Sequence, residues 1–234
     1  MRFDIMTLFP DLVQTVLSES IIGRAQKSGV IEIHTHNIRD YAENKHNRVD
    51  DTPYGGGMGM LMAAPPIYRC AKAITDTLPA GQSVHTVYLS PRGRLFDHKV
   101  AKELAAYDNL ILLCGHYEGV DARVLETVVD EEISIGDFVL TGGELPACLV
   151  VDAVARLSDG VLSDAECYEK ESVASGLLEY PQYTRPYEFM GLTVPEVLIS
   201  GHHENIEKWR LEQSIALTRE RRPDLYELYE KENK

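Results

Sequence analysis

Apolar residues in the first two-thirds of the chain come in short β-prone runs separated by stretches of helical period. The runs at 2–8, 30–36, 84–89, 110–114 and 131–135 read as strands, and the periodicity at 10–28, 64–77, 97–106, 121–128 and 144–157 reads as helices. Strand alternating with helix predicts an α/β domain built on a mostly parallel sheet with helices on both faces. After Leu157 the pattern stops. Residues 158–175 are polar and acidic without sustained periodicity, which reads as a flexible linker. Helical period returns at 194–200 and 202–222, the latter carrying Ile206, Trp209, Leu211, Ile215 and Leu217 partly on one face. The expected organisation is an α/β domain over 1–157, the linker, and a small helical domain over 176–234.

Three loops interrupt this pattern with glycines and apolar residues together. Tyr88-Leu89-Ser90-Pro91-Arg92-Gly93 follows the strand run ending at Leu89, and Cys114-Gly115-His116-Tyr117-Glu118-Gly119-Val120-Asp121 follows the one ending near Leu113. The third, Ser134-Ile135-Gly136-Asp137-Phe138-Val139-Leu140-Thr141-Gly142-Gly143-Glu144-Leu145-Pro146, makes neither a good helix nor a good strand. Its glycines permit close approach, while Ile135, Phe138, Val139 and Leu140 offer an apolar lining. In open α/β sheets ligands bind beyond the carboxyl ends of strands, so three such loops predict one composite pocket for a flat aromatic ligand.

Composition narrows the setting. A chain of 234 residues with 44% hydrophobic content can bury a full core. Cys70, Cys114, Cys148 and Cys167 are widely spaced, which argues against a zinc ribbon or a disulfide framework and for a reducing cytoplasm. No basic leader with an apolar segment is present, and no run approaches membrane-spanning length, so neither export nor a membrane partner is expected. His34 and His36 share a strand face without a third ligand of convincing spacing, and no metal site is legible. The first strand leads into Phe9-Pro10-Asp11 rather than Gly-x-Gly-x-x-Gly, and no phosphate-binding Gly-x-x-x-x-Gly-Lys-Ser/Thr occurs.

Charge argues against a nucleic-acid partner in sum but not in distribution. The net charge is −14, and residues 118–137 hold seven acids against the single base Arg123. Lys208, Arg210, Arg219, Arg221 and Arg222 gather near the end beside His202 and His203, where a polyanion could dock.

The ordered set of motifs resembles the bacterial tRNA (guanine-37-N1)-methyltransferases of the SPOUT class, along nearly the whole chain. It comprises Phe9-Pro10, the run from Ser18 to Ala25, Asp51 to Met60 with its triple glycine, the three loops, Gly176 to Pro186 with Tyr-Thr-Arg-Pro, and Ser200 to Arg210. The resemblance implies S-adenosylmethionine (AdoMet) as methyl donor, tRNA with guanosine at position 37 as substrate, and a deep trefoil knot forming the donor pocket. It places Tyr88, Leu89, Ser90 and Pro91 on one wall and Gly115, Tyr117, Glu118 and Gly119 on a second. The third wall is Ser134, Ile135, Gly136, Asp137, Phe138, Val139 and Leu140 with Gly142, Gly143 and Pro146. Phe138 stands where the family usually has tyrosine.

For the chemistry, Arg156 matches the family's catalytic arginine, and Glu171 falls where the family has the catalytic aspartate, with Asp164 as the fallback carboxylate. As guanine N1 attacks the methyl, a carboxylate can accept its proton and a guanidinium can stabilise charge spreading to O6. The resemblance also implies a homodimer whose active site lies between subunits, with donor pocket and base-carrying linker from different chains, and magnesium, with Glu118 nearby. Two other readings stay open: a SPOUT enzyme acting on another target such as a ribose 2′-hydroxyl, and a non-catalytic binder of RNA or AdoMet.

Overall fold

The computed structural model describes residues 1–162 and 171–233. The chain divides into two compact units, Met1–Ser163 and Asp164–Lys234.

In the first unit a five-stranded sheet has the order β2-β1-β6-β5-β7, built from β1 (Arg2–Thr7), β2 (Glu32–Asn37), β5 (Val84–Leu95), β6 (Asn109–Cys114) and β7 (Glu131–Ser134). Every pair of neighbours is parallel. The central strand β6 reads as a nearly continuous apolar run because both of its faces are covered. Alternate residues serve two cores. Phe3, Ile5, Val87, Leu110 and Leu112 pack against α1 (Pro10–Leu17), α2 (Ser20–Lys27), α4 (His98–Ala105) and α6 (Glu144–Ala155). Met6, Tyr88, Ile111 and Leu113 pack against α3 (Ala64–Thr75) and α5 (Ala122–Thr127). Leu157 and Val161 also rest on the first of these cores, so the unit continues past the end of α6.

The helix expected over 10–28 is two helices. Ser20 adopts φ +54°, and Gly23 sits so close to the Ser18 carbonyl that a Cβ would overlap it. The chain therefore turns at Ser18–Ser20 and starts again. Two short pieces that periodicity could not register, β3 (Asp50–Asp51) and β4 (Leu61–Met62), pair antiparallel around the glycine-rich loop.

The second unit holds an antiparallel hairpin of β8 (Glu188–Phe189) and β9 (Leu192–Thr193), followed by α7 (Glu196–Ile199), α8 (His203–Arg221) and α9 (Pro223–Glu232). Buried Thr218 of α8 donates to the Ser214 carbonyl at 2.6 Å and accepts from Leu178 N at 2.8 Å, which fixes the segment leading to Tyr180. No helix among the described residues is long and apolar enough to cross a membrane.

Candidate functional site

The bulged stretch of β5, which runs on to Leu95 instead of ending at Leu89 as expected, and the loops that leave β6 and β7 meet at the carboxyl edge of the sheet around a cavity of about 490 Å³. This is the size of a small-molecule pocket. Each wall is shaped by a local device that its sequence supplies.

On the first wall, β5 slips its register against β7 between Leu89 and Arg94, and the Ser90 hydroxyl accepts from Arg92 N at 3.2 Å across the resulting bulge. On the second wall, Tyr117 and Gly119 adopt left-handed φ values of +59° and +116°, turning the chain sharply after β6. This turn is braced by the short strand β4 and the residue before it: Glu118 N donates to Met60 O at 3.0 Å, and Met62 N donates to Gly119 O at 2.9 Å. The third wall folds on itself through Phe138 N to Gly136 O at 2.9 Å. It then crosses to the second wall through Gly143 N to Gly115 O at 3.0 Å.

Of the eighteen residues expected to line a donor pocket, all but Asp137 line this cavity. Asp137 is exposed, which keeps its carboxylate hydrated instead of leaving it unpaired against an apolar lining. The cavity is also lined by Leu61, Arg92, His116, Val120, Ile133 and Thr141, which sequence reasoning did not single out. Arg92, His116, Val120 and Thr141 lie inside the three glycine-bearing loops, whose pattern was the signal for them. Leu61 arrives from a distant segment through the β4 pairing, which no local pattern signals.

The wall mixes polar and apolar surface in comparable parts. Glu118 is the one carboxylate among the lining residues. Arg92 pairs with Glu132 at 3.3 Å at an exposed position. The Tyr88 ring fills the space a Cβ on Gly115 would need, and burial, followed by the nearby Glu132 charge, pushes its hydroxyl above the ordinary tyrosine range, so it remains a donor. Burial likewise raises the thiols of Cys114, beneath the second wall, and of Cys148, the latter to about 11, so neither is a nucleophile at neutral pH. Cys167 lies outside the described residues.

The expected catalytic groups are not in this cavity's lining. Arg156 is the residue that follows α6, half-buried, at the opposite end of that helix from Gly143. Twelve residues of helix span about 18 Å. Glu171 belongs to the second unit and is half-buried there. Asp164, the fallback base, lies outside the described residues. Among the described residues no group of three or more His, Cys, Asp or Glu side chains is placed to hold a metal ion.

The second unit has a polar-aromatic cluster that the sequence did not announce. Arg210 of α8 lies over the Tyr180 ring at 4.9 Å, and the Tyr183 and Trp209 rings are 6.4 Å apart.

A parallel α/β unit with a glycine-walled cavity at the carboxyl edge of its sheet has the arrangement in which open α/β sheets hold small ligands. Residues 1–228 match the family described as tRNA (Guanine-1)-methyltransferase TrmD, and the chain belongs to this family. It is similar to the tRNA (guanine-N(1)-)-methyltransferase of Ruminiclostridium cellulolyticum, 55% identical over 97% of this chain and 96% of that one. The protein of that name from Lachnospira eligens is 54% identical over 100% of this chain and 98% of the relative. That of Geobacter sulfurreducens is 54% identical over 96% and 91%.

Proposed function

We propose that this chain methylates N1 of guanosine in tRNA, at position 37 beside the anticodon, using AdoMet held in the cavity of the first unit. The observation that carries the reading is the convergence of three separated loops, quoted for their family resemblance, on one cavity in a chain that belongs to the TrmD family over residues 1–228. When bound, AdoMet supplies an electrophilic methyl on a sulfonium. Backbone groups of the Leu89, Gly115 and Gly136 walls would hold its adenine edge by hydrogen bonds, and Ile135, Val139 and Leu140 would cover its faces. The close crossing of the third wall over the second, where Gly143 meets the backbone at Cys114, fits the trefoil knot of the SPOUT class.

For transfer, guanine N1 forms a bond to the methyl as the carbon–sulfur bond breaks. The N1 proton passes to the Glu171 carboxylate, and Arg156 stabilises negative charge on O6. The pocket of one copy and Glu171 of the other make up each site of a homodimer, with Arg156 following α6 at its far end from Gly143. If magnesium takes part, Glu118 is the carboxylate that would lie near it, since it is the one acid in the lining. No step is assigned to it. The Tyr180–Arg210 and Tyr183–Trp209 cluster in the second unit is suited to stacking on unpaired bases of the anticodon loop. The setting is the cytoplasm, where tRNA is found and thiols stay reduced.

The test is transfer of labelled methyl from AdoMet to two tRNA transcripts that differ only at position 37. Labelling of the guanosine transcript and not of its adenosine counterpart is expected. Equal labelling would move the target to another site such as a ribose hydroxyl, and AdoMet binding without any transfer would make the chain a binder.

A further inference from the structure

Glu144 opens α6 and is 4% exposed, yet no role in methyl transfer requires it. Its carboxylate accepts from Thr7 Oγ1 at 2.7 Å through one oxygen and lies 2.9 Å from His116 Nε2 through the other. Thr7 Oγ1 in turn accepts from Phe9 N at 2.9 Å, and His116 N donates to Met62 Sδ at 3.2 Å. One buried carboxylate thus ties together the end of β1, the loop after β6 and the first turn of α6, where the helix dipole favours a negative charge. A carboxylate is acceptor-only, so His116 Nε2 carries the proton.

The pair stands directly behind two walls of the cavity. His116 is itself a lining residue, with its side chain 17% exposed. A Cβ on Gly142 would run into both His116 Nε2 and Glu144 Oε2. The second and third walls are therefore joined at two adjacent points, by the Gly143-to-Gly115 backbone bond and by the His116–Glu144 side-chain bond. A single bond would leave a hinge; two fix the separation. A slot of fixed width binds a flat ligand without first losing loop entropy.

We propose that Glu144 and His116 are positioning residues for the methyl donor: together they hold the Gly115–Gly119 wall and the Gly142–Gly143 turn at the spacing that accepts the adenosine part of AdoMet. This rests on the donor-pocket reading above. Neither residue takes part in the bond changes.

The experiment compares the parent protein with Glu144→Gln, His116→Ala and the double variant. AdoMet affinity is read by titration calorimetry without tRNA, and steady-state kinetics give kcat and the KM of each substrate. Each single variant is expected to weaken AdoMet binding roughly tenfold, as misplaced binding groups do. The double variant should lose little more than the weaker single, since the two act as one unit. At saturating AdoMet, kcat should stay within about threefold of the parent and KM for tRNA should hold, because positioning of the donor is what is lost. His116→Ala keeps the test valid if Glu144→Gln fails to fold, because His116 lies on the cavity wall. AdoMet affinity unchanged in folded variants would overturn the proposal, as would a fall in kcat with affinity intact. A parent protein that binds no AdoMet would overturn the donor-pocket reading itself, an outcome distinct from either.

Discussion

Gly143 separates two reasons for a glycine. Its φ of −83° is open to any residue, so its backbone needs no special freedom. What excludes a side chain is space: a Cβ would lie 2.7 Å from Cys114 Cα and 3.0 Å from Gly115 N, and backbone atoms cannot swing aside. Gly143→Ala is expected to destabilise the chain by about 1–3 kcal/mol, the usual range for overpacking, and to abolish measurable AdoMet binding. Gly81→Ala is the contrast: φ is +87° in open space, so a loss of about 1 kcal/mol with unchanged AdoMet binding is expected. Thermal denaturation and titration calorimetry read both. Asp4, buried in the sheet, gives a pH dependence. Burial pushes its carboxyl up, but hydrogen bonds and charge from His36, at 2.7 Å, and Arg2, at 2.7 Å and 2.9 Å, outweigh this and hold it below the usual range. A depressed carboxyl contributes stability above its unfolded pKa of about 3.9 and loses it as pH falls through the lower folded value. The stability gap between the parent and Asp4→Asn should therefore be full near neutrality and narrow below about pH 4; a gap that stays constant down to the acid transition would show that Asp4's charge is not what matters. At this scale the cavity was largely legible, because glycines and apolar residues at strand ends are unusual together. The His116–Glu144 bond was not: twenty-eight residues separate its ends, and nothing in either neighbourhood signals the meeting.

Helix α6 is apolar on nearly every side. Ala147, Cys148, Val150, Val151, Val154 and Ala155 are buried, while Leu145 and Leu149, one turn apart, are 56% and 46% exposed. Helix α1 packs beside α6 and adds exposed Leu12 and Val16, with Phe9 just before it. A helix apolar all round normally has every side covered. The proposed occupant of this face is the second copy of the chain. Leu149→Glu should leave the fold intact, since the residue touches solvent in the single chain, and should give a monomer without methyl transfer. Sedimentation reads the first outcome and the transfer assay the second, and a dimeric, active variant would rule out this face. Periodicity found α6 and the sheet strands because each repeats its signal over several residues. It joined α1 to α2, since the break between them depends on a carbonyl lying against Gly23. It missed α9 and the β8–β9 hairpin, the latter because two-residue strands carry no period.

The whole molecule combines a net charge of −14 with an RNA substrate, which requires its cations to be concentrated. Lys208, Arg210, Arg219 and Arg221 all belong to α8 and Arg222 follows it, so the bases foreseen in the sequence share one helix of the second unit, but Glu204, Glu207, Glu212 and Glu220 equal the bases within that helix in number, and Lys208, Arg210 and Arg222 pair with Glu212, Glu207 and Asp224. Donor pocket and proposed base lie in different units, Gly143 in the first and Glu171 in the second. If each reaction uses the pocket of one copy and Glu171 of the other, two inactive variants must complement. A dimer pairing Gly143→Ala with Glu171→Gln has one site that is doubly damaged. Its other site joins the sound pocket of the Glu171→Gln chain to the sound carboxylate of the Gly143→Ala chain. Random mixing of equal amounts makes half the dimers mixed, each with one working site of two, so unfolding and refolding the variants together should recover about a quarter of parental transfer. A mixture no more active than the separate variants would put pocket and base in the same chain.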